Sequence, residues 1–459
     1  MLPCFTLSAQ KSIPIITVIE KELDNWLSSQ SSKIQNWVNT TNFRGKSGCI
    51  SFIADEEGNL EKVLVGMSNA QDCSVFGQLA AQLPKGNYRI DVPLSNQELA
   101  AAALSWGLGS YQFAKYKSFP TLEAKLLLTE NSIDLSYLNA ILRGTYLVRD
   151  LINTPAEDMM PDNLAQAAIH LAKKFNGTIS TLQGEDLLKE GYRAIHTVGR
   201  ASIHAPQLID LAWGNTKHPK ITLVGKGVCF DSGGLNLKNA AGMAQMKKDM
   251  GGAAHVLGIA SIVMTLGLPI CLRVLIPAVE NAVSSNACRP GDVITTRQGM
   301  TIEITNTDAE GRVILSEALD EAARENPALI LDFATLTGAA RIALGTDIAA
   351  LFTSNQQLAA DIMNCAQKEN DPVWHLPLYM PYRKLIDSRV ANIANSSSSP
   401  YGGAITAAIF LKAFVPDNIH WAHFDVMAWN TTSKPGSPEG GEANGLRAVA
   451  RYLYEQFKP

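Results

Sequence analysis

The residues best equipped for chemistry are Asp308, Glu310 and Arg312, spaced two apart in Asn306-Thr307-Asp308-Ala309-Glu310-Gly311-Arg312. An alternating apolar run, Thr301-Ile302-Glu303-Ile304, precedes this heptad, and a helical pattern, Val313-Ile314-Leu315-Ser316-Glu317-Ala318-Leu319, follows it. In extended backbone alternate side chains share a face, so two carboxylates and a guanidinium are expected to point the same way. Carboxylates packed that close repel unless something positive lies between them. Either Arg312 supplies that charge or a metal ion does; a solvated turn with one ion pair is the plainer alternative.

Upstream, Gly225-Lys226-Gly227-Val228-Cys229-Phe230-Asp231-Ser232-Gly233-Gly234-Leu235-Asn236-Leu237-Lys238 follows a buried-strand signal, Ile221-Thr222-Leu223-Val224. Met246-Lys247-Lys248-Asp249-Met250-Gly251-Gly252-Ala253-Ala254 comes next. Glycine lets backbone approach a ligand closely, and each segment carries an acid at the edge of an element. Lys226, Asp231, Lys238, Asp249, Asp308, Glu310 and Arg312 make a set of four acids and three bases. Oxygen ligands in that number suit two divalent cations better than one.

At these residues the chain resembles the leucyl aminopeptidase family, the M17 metallopeptidases or cytosol aminopeptidases. The NTDAEGR heptad, the KGxxFDSGGxxxK block and the KxDMGGAA block match that family's pattern in type, order and spacing. The flanking Arg149-Asp150-Leu151-Ile152-Asn153-Thr154-Pro155-Ala156 and Leu331-Asp332-Phe333-Ala334-Thr335-Leu336-Thr337-Gly338-Ala339 also look like family segments.

The resemblance implies a two-metal aminopeptidase that removes the N-terminal residue of peptides, Leu- or Met-like by preference, through a metal-bridging hydroxide. It implies that Lys226, Asp231, Asp249, Asp308 and Glu310 hold two divalent ions, zinc or manganese, with magnesium or cobalt as alternatives. Asp231 and Glu310 would bridge both ions, Lys226 and Asp249 would complete the tighter site, and Asp308 would serve the exchangeable one. By the same resemblance Lys238 and Arg312 would carry the catalytic roles: Lys238 would donate to the oxyanion, and Arg312 would hold a bicarbonate that relays protons as general base. Thr335, Leu336 and Gly338 would offer backbone groups to the substrate, while Met246, Asn306 and Ala309 match family positions that line the first side-chain pocket. The electrostatics are coherent, because four carboxylates balance two dications and neighbouring dications favour the free amine that Lys226 needs to ligate. The resemblance further implies a homo-hexamer. Two departures bear on it: Cys229 stands where Thr is common, and the tail Pro435–Arg447 lacks the GATG run of many members, which touches residue preference most.

The elements that must position these groups read as α/β. At 459 residues the chain exceeds one small core, so two domains are expected. Residues 1–130 form a smaller N-terminal α/β domain, 131–154 a linking helix, and 155–459 a larger C-terminal α/β catalytic domain. The N-terminal part alternates strand runs (Ile15–Ile19, Ile50–Phe52, Val63–Val65, Tyr88–Val92) with helical ones (20–38, 71–83 and 96–112). Leu135–Ile152 reads as the linking helix, ended by Thr154-Pro155. Beyond it, apolar runs at Leu208–Ala212, Ile221–Val224, Leu272–Ile276, Leu329–Asp332 and Ile348–Phe352 predict a mixed, mostly parallel sheet flanked by helices. Ligands in such folds bind beyond the carboxyl ends of the strands.

Ser396–Gly403 reads as a small-residue loop, either plain surface or a rim of the active-site mouth. His423-Phe424-Asp425 lies in an apolar strand, which favours a core histidine over a ligand pair.

Other function classes fit less well. A formal net charge of −4 without a long basic run argues against nucleic acid as partner. A DNA-binding role beside or instead of catalysis would need a basic track on the first domain. A different two-metal hydrolase, such as a phosphoesterase, usually brings several histidine ligands, and none of the eight histidines falls inside the blocks. Seven cysteines without CxxC pairs read as reduced thiols, hence a cytoplasmic location, and the N-terminus lacks a secretion signal. Ala253–Leu272 contains no Lys, Arg, Asp or Glu but is broken by Gly267-Leu268-Pro269. It reads as a buried helix ending near Leu266 and a following core strand, so no membrane partner is expected.

Overall fold

A computed structural model describes residues 1–69, 72–129 and 133–458. The chain forms two compact units, Met1–Leu142 with Thr431–Glu439, and Arg143–Asn430 with Gly440–Pro459. The expected boundary at 130/131 and the expected helix start at residue 71 lie outside the described residues.

The first unit carries β1 (Phe5–Thr6), β2 (Ile13–Ile19), β3 (Ile50–Ala54), β4 (Leu60–Met67), β5 (Gly86–Ile90) and β6 (Ala124–Leu127). They join in the order β1-β6-β5-β2-β4-β3, parallel except for the β3–β4 pair. The β-branched runs of β2 and β4 bury Ile15, Val63 and Val65 completely, as a sheet covered by helices requires. The helix Asn96–Gly109 starts at a reciprocal Ser95–Glu98 capping box and buries Trp106. The helical run expected over 20–38 is instead broken into a short turn, Leu23–Ser28 and Ser32–Thr40. The cause is the serine-rich stretch between them: the Ser28 and Ser29 hydroxyls donate to the carbonyls of Asn25 and Trp26, which competes with helix propagation.

The second unit is built on β7 (Thr178–Gln183), β8 (Gln207–Gly214), β9 (Lys220–Gly225), β10 (Gly227–Asp231) and β11 (Cys271–Asn281). Two short strands, β12 (Val293–Thr295) and β13 (Thr301–Glu303), follow. Then come β14 (Leu329–Ala334), β15 (Ala349–Phe352), β16 (Val373–His375), β17 (Ile393–Ala394) and β18 (Trp421–Asp425). The main sheet runs β16-β15-β18-β14-β9-β11-β8-β7, with β10 pairing on β11, and β12-β13-β17 form a separate small sheet. The centre, β11-β9-β14-β18, is parallel, and the flanks turn antiparallel at β8 and β15. A mixed, mostly parallel sheet was the sequence expectation, and helices flank it.

Two helices matter most for placement. Gly251–Leu266 is apolar all round and buried through Met264; Gly267 ends it in the left-handed conformation, φ 61°. Its membrane-like window is 89% buried inside the protein, as a core helix is. It packs on Leu135–Asn153 through small residues: a Cβ on Gly258 would lie 2.5 Å from Val148, and one on Gly144 2.5 Å from Ile262. Beneath it, Phe333 stacks between His255 at 5.3 Å and Phe424 at 4.4 Å, which fixes the relation of the helix to β14 and β18.

Candidate active site

The parallel strands at the sheet centre end together, and the chemistry-bearing residues follow directly. Lys226 comes after β9, Asp231 closes β10, Thr335 comes after β14 and Asp425 closes β18. Asp249 enters from the turn Met246–Met250 that leads into the helix Gly251–Leu266. The strand end and the helix start are locked by backbone, with Lys226 N–H donating to the Phe333 carbonyl at 3.0 Å and Ala253 N–H to the Lys226 carbonyl at 2.8 Å. No side chain fits between them, since a Cβ on Gly252 would lie 2.1 Å from the Phe333 oxygen.

The heptad corrects one expectation. Its acids do not alternate along extended backbone, because β13 stops at Glu303 and a helix runs from Glu310 to Arg324. Glu310 and Arg312 both stand in the first helical turn, about 200° apart around its axis. Arg312 therefore does not neutralise the acids: among the described residues it has no ion pair with Asp308 or Glu310, and its Nη1 donates to the Asn395 carbonyl at 2.9 Å. Asp308 sits in the preceding turn, which Asn306 shapes by accepting the Asp308 N–H on Oδ1 at 2.9 Å.

Lysines supply the positive charge. Lys226 Nζ lies 2.8 Å from Asp249 Oδ2 and 3.0 Å from Glu310 Oε1, and it donates to the Thr335 carbonyl at 3.1 Å. Lys238 Nζ lies 2.9 Å from Asp231 Oδ2 and pairs closely with Asp308 Oδ1. Asp231 Oδ1 is aimed by the Gly233 N–H at 2.9 Å and Asn281 Nδ2 at 2.8 Å. Asp249 Oδ1 accepts from the Thr335 hydroxyl at 2.7 Å. All five expected metal ligands thus meet in one cluster, with Lys238 inside it.

Its electrostatics ask for more positive charge than the lysines give. Burial and then the Asp231 charge push the Glu310 carboxyl up to about 8. Burial raises Asp249 and Asp308 as well, with Asp231 adding to both. Burial alone would discharge Lys226, but Asp249, Glu310 and Asp231 outweigh it and raise the ammonium above its ordinary value.

Among the described residues Glu310 Oε2 is buried without a hydrogen-bond partner, and Oε1 stands at ion-pair distance from Lys226 without hydrogen-bond geometry. Asp231, Asp308 and Glu310 each present an oxygen within 4.8 Å of the others, the one such group among the described residues. Orphaned, buried carboxylate oxygens converging in this way fit divalent cations. Arg312 also has capacity to spare: among the described residues its buried Nε has no acceptor, and burial lowers the guanidinium to about 10 against the pull of Glu310 and Asp425. A small anion fits that donor.

The remaining expected residues divide. Thr335 touches Asp249 and Lys226 directly, and Asn306 and Ala309 belong to the Asp308 turn. Met246 is buried one turn before Asp249, Leu336 is half-buried and Gly338 exposed at the start of the helix Gly338–Leu344. Among the described residues no side-chain hydrogen bond ties these three to Asp231, Asp249, Asp308 or Glu310.

Three supporting residues carry no site role in the sequence reading: Lys248 and Asn395 go unremarked there, and Asp425 is weighed only as a ligand pair with His423. Asp425 Oδ1 accepts the N–H groups of Leu336 at 2.9 Å and Thr337 at 3.2 Å, and its Oδ2 accepts the Thr337 hydroxyl at 2.6 Å. Lys248, beside Asp249, is buried, and burial brings its amine down to about 8. Asn395 directly follows β17 and grips the Asp308 turn. His423, by contrast, is a buried core side chain, its Nδ1 2.5 Å from Asp332 Oδ1 and its ring stacked near Phe352 and Trp421.

Comparison with known proteins agrees with this geometry. The family model "Cytosol aminopeptidase family, catalytic domain" matches residues 146–450, and "M17 aminopeptidase, N-terminal domain" matches residues 13–129. A probable cytosol aminopeptidase of Roseiflexus castenholzii is 39% identical over 403 residues, 83% of this chain and 82% of that protein. The crystal structure of a cytosol aminopeptidase from Coxiella burnetii is 49% identical and superposes with a TM-score of 0.96 over 100% of both chains. The bottromycin maturation enzyme BotP in complex with Mn is 31% identical, with a TM-score of 0.87 over 97% of this chain and 99% of that one. These matches favour neither the DNA-binding reading nor a different two-metal hydrolase.

Proposed function

Because this chain belongs to the cytosol aminopeptidase family and is an aminopeptidase, we propose that it removes single N-terminal residues, Leu- or Met-like by preference, from peptides at a two-cation centre. The observation that carries this reading is one cluster in which Asp249 and Glu310 meet on Lys226, Asp231 and Asp308 meet on Lys238, and Glu310 Oε2 is buried without a hydrogen-bond partner among the described residues. Lys226, Asp231, Asp249, Asp308 and Glu310 would hold the two ions, zinc or manganese, with magnesium or cobalt as alternatives. Manganese is supported by the relative solved with it. When bound, two dications would supply Lewis acidity and a water acidified into the neutral range.

The protein's own groups then do the rest. A free α-amine, offered only at a chain terminus, is the feature an acid-lined centre of this kind selects, which explains removal of single terminal residues. Lys238 is charged, half-buried and placed beside Asp231 and Asp308, so its ammonium can donate to the oxygen that gains charge as the peptide carbonyl is attacked. The Thr335–Gly338 segment, held by Asp425, offers backbone groups along which a peptide can align, and Met246, Asn306 and Ala309 border the side-chain pocket. Arg312, with its unpartnered Nε, would hold a bicarbonate, whose basic oxygen supplies a proton acceptor there. The relatives' names and the seven unpaired cysteines support a cytoplasmic site of action, and the family resemblance supports a homo-hexamer, which sedimentation would test.

The direct test is hydrolysis of Leu-, Met-, Arg- and Glu-anilides by chelated protein refilled with zinc, manganese, magnesium or cobalt. Turnover should return with metal, favour Leu and Met, and vanish when the amine is acetylated. A metal-saturated preparation inert toward every unblocked dipeptide would overturn the proposal.

A further inference from the structure

Asn395 lies outside every block that carries the chemistry, yet it binds the loop that presents Asp308 along most of its length. It is 0% exposed and directly follows β17, which pairs in parallel with β13. Its Oδ1 accepts from Thr305 N at 2.8 Å, Thr305 Oγ1 at 3.2 Å and Asn306 N at 3.2 Å. Its Nδ2 donates to the carbonyls of Asn306 at 2.7 Å and Ala309 at 3.2 Å. Its backbone is used as well: the carbonyl accepts Arg312 Nη1 at 2.9 Å, and the N–H donates to the Glu303 carbonyl at 2.9 Å.

Both amide protons and the amide oxygen are therefore spent on one five-residue turn. That turn lies between β13 and the helix Glu310–Arg324, where no ladder pairs its backbone. Buried backbone groups must find partners, and only a carboxamide offers two donors and an acceptor on one rigid plane. Alanine supplies neither function, and aspartate lacks the donors.

We propose that Asn395 is the positioning residue of the cation centre, setting the 305–309 turn so that Asp308 faces Asp231 and Lys238 while Arg312 is held by the same residue's carbonyl. The inference rests on the two-cation reading above and assigns Asn395 mainly to one of the two ions. Lys226 follows β9, Asp231 closes β10 and Asp249 stands on the Met246–Met250 turn, and among the described residues Asn395 makes no hydrogen bond to any of these elements. Its loss therefore falls chiefly on the cation that Asp308 would hold.

The experiment titrates manganese or zinc into the chelated full chain, for wild type, Asn395→Ala and Asn395→Ser, with a competing chelator to separate the two equivalents. Serine leaves a hydroxyl that a water can extend, so it serves where alanine does not fold. The expected result is a second equivalent weakened about 10- to 100-fold, as for removal of a group that orients a ligand, with the first changed less than about threefold. In the refilled variants kcat falls more than KM rises. Two outcomes overturn the role: both equivalents binding as in wild type with kcat within about twofold, or both lost together with a lowered unfolding midpoint in both variants. The wild-type titration separates the readings. A wild type without two cation sites overturns the two-cation centre itself, whereas a two-site wild type with unchanged variants overturns only the role of Asn395.

Discussion

Arg149 and Glu442 form a two-pronged buried ion pair, Nε to Oε1 at 3.1 Å and Nη2 to Oε2 at 3.0 Å, across 293 residues of sequence. Asn430 Nδ2 at 2.7 Å and the Ala443 N–H at 2.8 Å complete the carboxylate's partners. The pair ties the helix Leu135–Asn153 to the segment ahead of the C-terminal helix Leu446–Phe457. Burial opposes ionisation of Glu442, but the Arg149 charge outweighs it and holds the carboxyl down at about 2. An acid with a depressed folded pKa binds fewer protons folded than unfolded, so its contribution is full above the ordinary carboxylate range and is lost as pH falls toward about 2. Glu442→Gln should cost about 3–5 kcal/mol at pH 7, because it takes the carboxylate charge away from a buried guanidinium. Urea unfolding at pH 7 and pH 3 checks this: the gap between variant and wild type should narrow at the lower pH, and a constant gap rules the linkage out.

Asp425 is expected to act on substrate binding through the loop it holds. Asp425→Ala removes the acceptor from two N–H groups and one hydroxyl at Leu336 and Thr337. Each donor left without a partner costs about 1–3 kcal/mol where it is buried. The variant should unfold at lower urea and show a raised KM for peptide anilides at full metal occupancy. Asp425→Asn keeps one acceptor oxygen and should do both to a smaller extent; identical kinetics in the two variants would remove Asp425 from substrate alignment.

The legible part of the site was the part written in local chemistry. Lys226, Asp231 and Asp249 each stand where a glycine-rich segment meets an apolar strand or helix, a pattern that fixes strand end, close approach and charge together. The shared face of Asp308, Glu310 and Arg312 was misread because the helix begins at Glu310 rather than beyond the heptad. That start depends on a turn held by Asn395, 86 to 90 residues away, which no window of sequence contains. Asn395 and Asp425 left no periodic trace either. The one available signal was a polar residue directly after a short strand-like run, Ile393-Ala394 in one case and Trp421–Phe424 in the other. The break at Ser29–Ser31 was missed for the opposite reason, since the apolar spacing continues through a stretch whose hydroxyls stop the helix.

Lys238 and Glu310 should separate chemistry from metal binding. Lys238 pairs with Asp231 and Asp308, so Lys238→Ala leaves the acids more negative and should retain both cations. It should still lose about two to three orders of magnitude in kcat, the scale of one lost oxyanion donor. Glu310→Ala should instead abolish cation uptake and turnover together. Elemental analysis beside initial rates reads both, and a Lys238→Ala enzyme at full rate would end that residue's assignment.

Gly311 offers a test in which helix propensity and site geometry pull in opposite directions. It stands in the first turn of the helix Glu310–Arg324, where alanine is intrinsically better than glycine by about 1 kcal/mol. A Cβ there, however, would lie 2.4 Å from Lys226 Cε and 2.7 Å from Nζ, inside contact distance. The flexible side chain is what yields, and Lys226 then leaves Asp249 and Glu310, its partners at 2.8 and 3.0 Å. Gly311→Ala should therefore unfold close to the wild-type midpoint while losing about 10- to 100-fold in cation affinity. Gly252→Ala is the control: its Cβ would meet the Phe333 carbonyl oxygen at 2.1 Å and Lys226 N at 2.8 Å, backbone atoms that have no rotamer to escape into. That variant should lose about 3 kcal/mol or more of stability by overpacking. Equal unfolding midpoints for the two variants would mean that the lysine is not the group that moves.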